Sequence, residues 1–593
     1  MQSKRVTEIG EIDSISGNSI SVKMFDNSKS NMPVIDGIVY RIGQIGSFVK
    51  IPLGFASLYG IVTQIGSAAI PENLKDLILK DYDQHINTRW ISITLVGEQV
   101  GRKFERGVTQ YPTTGDKVHL VTIQDLDIIY GGHEDSNSIT VGNISASESL
   151  DAKLDLDKLV ARHCAIVGST GSGKSNTVTV VLEAIANRNF NSSRILVIDP
   201  HGEYNETLSK YSRVLEINAK KDDDKLFIPF WALPFNELMK MFSGNLTDSN
   251  REYIREKVVL AKRESAKKNT LDVTEESITA DSPIPFSIKK LWFDLDSYER
   301  MTFTTTARDT PDIVTVGDAT SLTSTEYEPA GVGNAAPYLN NKAKGLLGFL
   351  DSVRNRLKDG RYNFLFCPGK MEPDLDGKVT SDLDDLLVKW LGSDLPITIL
   401  DLSGVPSEIM SSISGTLLKI TYDALFWGLK TKVGGKSQPL MIVLEEAHNY
   451  LRAGENSISS RTVQTIAKEG RKYGVGLLLV TQRPSELDET VLSQCGTMIA
   501  LRMNNTKDRG HIKSAVQDEL QSMVDLLPSL RTGEGLISGE AVKIPSRVKF
   551  YKIANAPKGS DPKVSELWKV EIKKPENEYK NLIKSWRNQK FEI

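Results

Sequence analysis

The rhythm of hydrophobic positions changes along this chain, and the change divides it. Up to about residue 145 apolar residues alternate with polar ones over short runs, as in Ser19-Ile20-Ser21-Val22-Lys23-Met24. Similar runs at 39–46, 48–51, 58–62 and 90–96 are punctuated by glycine and Asn/Asp turns. Several short, half-buried strands of this kind predict a small β-barrel. Beyond residue 160 the runs become continuously apolar, at 165–167, 194–198, 396–402, 440–444, 476–480 and 497–501. Helical stretches such as 343–357 and 407–430 separate them. Continuous apolar strands alternating with helices predict an α/β fold with a parallel-dominated sheet buried on both faces.

Between these core segments the pattern turns polar. Residues 250–268 read as a charged helix with Ile254, Val258 and Ala261 on one face, while 270–282 and 301–327 are rich in Thr, Asp and Ser. Residues 536–545 predict paired strands, and 575–588 a last helix with its proline in the first turn. The expected organisation is an N-terminal barrel for assembly or docking (1–145) and a first core segment (146–231) that opens with a linker. A mainly helical insertion (232–345), a second core segment (346–550) and a C-terminal brace (551–593) follow.

The candidate chemistry begins at Gly168-Ser169-Thr170-Gly171-Ser172-Gly173-Lys174-Ser175-Asn176. A strand precedes it and a helix follows, the context a phosphate-binding loop requires. Glycines let backbone N–H groups curl around phosphate oxygens, and the helix N-terminus faces the same anion. Lys174 then reaches the β- and γ-phosphates, and the Ser175 hydroxyl ligates Mg²⁺. Asp199, at the end of the next strand, suits the metal's water shell or forms a turn before Pro200. Glu445 and Glu446 end the apolar strand 440–444. Two carboxylates there are costly without a cation or water, so the first reads as a metal partner and the second as the base for the attacking water. His448 either tunes Glu446 or caps its loop. Gln482 ends another strand and suits a γ-phosphate sensor. Arg471, with Arg483 as runner-up, is either a supplementary cation at the γ-phosphate or a surface ion pair.

Composition narrows the setting. The 593 residues carry 39% apolar and 25% charged side chains and a net charge of −3. Any nucleic-acid contact must therefore rest on local positive charge, such as a pore lining. The three cysteines, Cys164, Cys367 and Cys495, are scattered and form no zinc spacing. No apolar run is long enough to span a bilayer, and the N-terminus has no signal core, so a cytoplasmic setting is expected.

The loop, Asp199-Pro200-His201-Gly202-Glu203-Tyr204, Glu445-Glu446-Ala447-His448, Gly470-Arg471-Lys472-Tyr473-Gly474 and Thr481-Gln482-Arg483-Pro484 together resemble the HerA family, grouped with FtsK among DNA-pumping ATPases. The resemblance implies a RecA-like P-loop core, ATP and Mg²⁺ as cofactors, and a homo-hexameric ring around double-stranded DNA. It implies that Gly171 to Asn176 bind phosphates, that Glu446 is catalytic and that Arg471 acts in trans. Arg162, Lys543 and Ile544 resemble further nucleotide contacts. A nuclease or sirtuin-like NAD-consuming effector on the barrel side is the implied partner, in anti-phage defence or DNA end processing. The competing reading is a nucleotide-dependent ring scaffold that regulates its partner without moving on DNA.

Overall fold

In the computed structural model the chain is described over residues 7–25, 34–35, 38–39, 43–67, 89–101, 103–130, 137–145, 149–187, 190, 192–244, 246–333, 335–516, 521–554, 564–570 and 576–588. Of the strand expected at 39–46, residues 40–42 lie outside the described residues, and 43–46 bend and turn instead of continuing a strand.

The first strands close on themselves. They are β1 (Glu8–Ser16), β2 (Ser19–Met24), β3 (Phe48–Leu53), β4 (Ala56–Ser67), β5 (Arg89–Val100), β6 (Lys103–Arg106) and β7 (Lys117–Leu120). Hydrogen bonding follows the order β2-β1-β7-β3-β4-β5, and β5 returns to β2, so six strands form a closed barrel with β6 appended to β5. The period-two pattern explains the closure. Ile20, Val22, Ile51, Leu58, Ile91, Ile93 and Val118 point inward and form one buried cluster, while the residues between them face out. Closure also removes the unpaired edges that an open sheet of this size would present.

The barrel ends at Leu120, earlier than the expected 145. Instead β8 (Ser138–Ile144) and β9 (Asp151–Asp155) join the large sheet, so the expected linker is partly strand. Ala152 and Leu154 are buried there while Asp151, Lys153 and Asp155 alternate outward. The charged residues concealed that pattern in the sequence. Asp155 then accepts from the Lys158 N–H at 3.0 Å and caps α1 (Leu156–Ala161).

The large sheet contains β10 (Cys164–Val167), β11 (Arg194–Asp199), β12 (Ser212–Glu216), β13 (Ile397–Asp401), β14 (Leu440–Leu444), β15 (Val475–Thr481), β16 (Thr497–Leu501), β17 (Glu534–Gly539) and β18 (Ser546–Phe550). Its eleven strands run in the order β9-β8-β18-β17-β16-β10-β15-β14-β11-β13-β12. From β16 to β12 every pairing is parallel; from β16 to β9 every pairing is antiparallel. Every residue of β10, β13, β14, β15 and β16 is buried. Helices α2 (Lys174–Ala186), α6 (Met410–Trp427) and α7 (Ile458–Glu469) connect the parallel strands. This arrangement is a RecA-like α/β core.

The core strands resume only at β13, later than the expected 346. Helices α3 (Asp248–Lys268), α4 (Ile288–Arg300) and α5 (Leu347–Lys358) belong to the excursion between β12 and β13. The reason is aromatic packing. Phe242 meets Phe349 of α5 edge-on at 5.9 Å, and the Trp292 indole of α4 donates to the Leu350 carbonyl at 2.9 Å. The Thr- and Asp-rich stretch forms short antiparallel pairings, Thr302–Phe303 with Tyr338–Leu339 and Ile313–Thr315 with Glu326–Tyr327, rather than helix. The last helix, α8 (Glu576–Asn588), matches the proposed final helix. Among the described residues no helix is long and apolar enough to cross a membrane.

Candidate nucleotide-binding site

The carboxyl ends of β10, β11, β14 and β15 converge, and the site is built there. In an open parallel sheet this edge is where ligands collect. After β10 the chain turns through Gly171 at φ +73° and Gly173 at φ +97°, conformations that side chains rarely adopt, and α2 begins at Lys174. Other segments brace the loop. Gly168 N–H donates to the Thr481 carbonyl, Ser169 N–H to the Arg502 carbonyl and Gly533 N–H to the Ser172 carbonyl, at 3.3, 3.0 and 3.0 Å. The Arg502 guanidinium and the Thr532 hydroxyl both reach the Gly171 carbonyl, at 3.2 and 3.3 Å. Neither contact was legible in the sequence: Arg502 depends on β16 lying beside β10, and Thr532 on the antiparallel return of β17. Thr170 Oγ1 donates to Gln482 Oε1 at 2.6 Å, linking the loop to the end of β15.

The acid pair splits electrostatically. Glu445 is fully buried; its Oε2 accepts from Tyr204 OH at 3.0 Å, and its Oε1 has no hydrogen-bond partner among the described residues. Burial pushes its carboxyl up to about 8, with Glu203, Glu446 and Asp199 adding to the rise and Lys174 opposing it. Burial acts on Glu446 in the same direction, but His448, Lys174 and the Gln482 N–H outweigh it and hold Glu446 below its usual range. Lys174 Nζ lies 3.5 Å from Glu446 Oε1. His448 Nδ1 lies 3.2 Å from Glu446 Oε2 and 3.1 Å from Thr481 Oγ1, so the ring sits between the acid and the end of β15. Two adjacent carboxyls are thus pushed in opposite directions: Glu446 is held toward its ionised form and Glu445 toward its neutral one, a split that suits two different tasks. The backbone of Glu446 is left-handed, at φ +48°, and this turns its carboxylate back toward Lys174.

The unpartnered buried Glu445 Oε1 and Ser172 Oγ, with a lone Lys174 facing several carboxyls, fit a phosphate chain and a divalent cation. Among the described residues no group of three or more His, Cys, Asp or Glu side chains could hold a metal by itself. A cation held here would need phosphate oxygens and water besides these side chains, as Mg²⁺ commonly does.

Other expected site residues stand differently. Asp199 lies at the site, but its carboxylate accepts the N–H groups of His201, Gly202 and Tyr204 at 3.0, 2.9 and 3.2 Å, so it shapes the loop instead of facing the cation. Asn176 donates its amide to the Tyr551 carbonyl at 2.8 Å and accepts from the Ile553 N–H at 3.1 Å, which ties its side chain to the chain after β18. Arg162 precedes β10 and pairs with Glu540 at 2.9 Å. Lys543 and Ile544 lie in the turn between β17 and β18, and Ile544 is fully buried, so its side chain is closed to a nucleotide. Arg471 precedes β15, at the amino end of the strand whose carboxyl end carries Gln482. It is exposed and makes no hydrogen bond or ion pair among the described residues. Arg483, by contrast, pairs with Glu486 at 2.9 Å in its own loop.

The elevated Glu445 carboxyl predicts a pH effect on the nucleotide-free protein. A carboxyl raised from 4.5 to about 8 stabilises the fold fully below pH 4.5 and loses that contribution as pH rises through 8. Between pH 6 and 8 the melting temperature is expected to fall more steeply in the parent chain than in Glu445→Gln. Parallel curves would remove Glu445 as the cause.

The phosphate loop, the acid pair and the sheet-edge geometry define an ATP-hydrolysing P-loop enzyme. Residues 139–421 match the family described as helicase HerA, central domain, and residues 411–566 match the helicase HerA-like C-terminal family. The chain belongs to the HerA family. It is 25% identical over 530 residues to the DNA double-strand break repair helicase HerA of Sulfolobus acidocaldarius, covering 88% of this chain and 92% of that one. To the Pyrococcus furiosus protein of the same name it is 25% identical over 468 residues, covering 74% and 73%. Among solved structures, VirB4 of Thermoanaerobacter pseudethanolicus is similar with a TM-score of 0.44 and 16% identity, covering 71% of this chain and 98% of that one.

Proposed function

We propose that this protein hydrolyses ATP to move along and unwind duplex DNA as a homo-hexameric ring. One observation carries the reading: the expected nucleotide contacts lie on opposite edges of the sheet. Lys174, Ser175, Glu445, Glu446 and Gln482 gather at the carboxyl edge, whereas Arg471 and Arg162 precede the amino ends of β15 and β10. The seven-residue β15 alone spans about 23 Å, farther than an arginine side chain reaches. A site that uses both edges needs two copies of the chain, and a closed ring of copies supplies every site with both.

In this reading Gly171 to Asn176 hold the phosphates, Asn176 through its backbone, and Ser175 with Glu445 holds Mg²⁺ through its water shell. Glu446 takes a proton from the attacking water, Gln482 senses the γ-phosphate, and Arg471 of the neighbour steadies charge that develops in the transition state. Arg162 and Lys543 line the edge that faces the neighbour's nucleotide. Among the described residues the barrel gives no side chain to the carboxyl-edge half of this site, and it exposes Phe55, Val100 and Tyr111, which supports its docking an effector: a nuclease or an NAD-consuming subunit, in DNA end processing or anti-phage defence. The names of the relatives, DNA double-strand break repair helicases, favour the DNA-directed reading.

ATP hydrolysis by the purified protein is expected to rise when duplex DNA is added at low salt, where phosphate contacts are strongest. Hydrolysis indifferent to DNA, together with no duplex binding under those conditions, would reject it.

A further inference from the structure

Glu203 has no part in the roles assigned so far, yet its Oε2 accepts a hydrogen bond from Ser175 Oγ at 2.8 Å. Ser175 is the hydroxyl that a phosphate loop offers to Mg²⁺. A serine oxygen has one hydrogen and two lone pairs. Once its hydrogen is given to Glu203, the lone pairs are turned away from that carboxylate and toward the pocket.

The loop that carries Glu203 is built to hold it in place. Asp199 is fully buried and gathers the N–H groups of His201, Gly202 and Tyr204. Gly202 has φ +67°, and a Cβ there would come within 2.7 Å of the Asp401 carboxylate, so only glycine fits. Tyr204 is fully buried and donates its hydroxyl to Glu445 Oε2. Both chain neighbours of Glu203 are therefore fixed to strand ends, and the half-buried carboxylate between them meets Ser175. A second observation points to a ligand at the same place. The fully buried Glu445 leaves Oε1 without a partner among the described residues, and Glu203 is one of the charges acting on it.

We infer that Glu203 is a positioning residue for the cation: it orients the Ser175 hydroxyl so that a lone pair faces the nucleotide-bound Mg²⁺. The inference rests on the ATPase reading and moves to Glu203 the metal-side role that the sequence assigned to Asp199. Asp199 builds the turn, and Glu203 faces the hydroxyl.

The test is equilibrium binding of a fluorescent ATP analogue to the full chain, titrated with Mg²⁺ and repeated in EDTA. Glu203→Ala is expected to raise the Mg²⁺ concentration for half-maximal effect about tenfold, the scale on which outer partners of metal ligands act. Binding in EDTA should stay equal or tighten, because a negative charge near the phosphates is gone. Glu203→Gln, which keeps an acceptor for the Ser175 hydrogen, should recover part of the loss. An unchanged Mg²⁺ requirement in Glu203→Ala, or equal weakening with and without Mg²⁺, overturns the inference alone. A parent chain whose nucleotide binding ignores Mg²⁺ would sink the ATPase reading as well.

Discussion

Arg471→Ala is expected to slow ATP turnover about 10³–10⁵-fold, the range seen when a transition-state arginine is withdrawn from phosphoryl transfer. ATP binding should be nearly unchanged, because the phosphate loop, Lys174 and the acid pair lie at the far end of β15. The fold should also be unaffected: Arg471 is exposed and has no hydrogen-bond or ion-pair partner among the described residues. Mixing gives the sharper measurement. Arg471→Ala subunits co-assembled with Glu446→Gln subunits contain junctions where an intact Glu446 faces an intact Arg471. Such mixtures should regain activity that neither parent shows alone. If mixtures stay as inactive as the two variants, Arg471 does not act across a junction, and the two-copy site is wrong.

Glu446→Gln should lower turnover about 10²–10⁴-fold, the usual worth of a positioned general base. The substitution keeps the size of the side chain and removes only the charge that Lys174 and His448 hold ionised. ATP should still bind, so the variant accumulates in a loaded state. The same variant separates a motor from a scaffold. A motor that binds ATP without hydrolysing it should fail to unwind duplex DNA and fail to support its effector. Full support of the effector by a loaded, hydrolysis-dead ring would favour the scaffold. Residual turnover within a few-fold of the parent would take the base away from Glu446.

The parts of the site legible in the sequence are those fixed by a few consecutive residues. The loop before Lys174, the acid pair after β14 and Gln482 after β15 each follow an apolar strand directly, and strand direction alone puts them on one edge. Asp199 was legible as an acid at a strand end but not in its aim, which depends on the conformations of the three residues after it. Glu203 was visible within its motif, yet nothing local tells a carboxylate facing Ser175 from one facing water. Lys543 and Ile544 depend on how β17 and β18 pair, which is a long-range matter. The strand β9 was concealed by its Asp and Lys residues, and the extent of the insertion by the helical periodicity of α5, which suits either layer. In each of these cases tertiary contact, not local pattern, chose the outcome.

The order of strands also bears on how the chain is made. The phosphate-loop strand β10 lies between β15 and β16, and β8 finds its inner neighbour in β18, so residues 138–167 pair with residues 475–550. On a ribosome the barrel can close as soon as it emerges, but the segment that will grip a nucleotide stays without flanking strands until synthesis is almost finished. A chain stopped short of Phe550 would thus carry a finished barrel and an unfinished catalytic half.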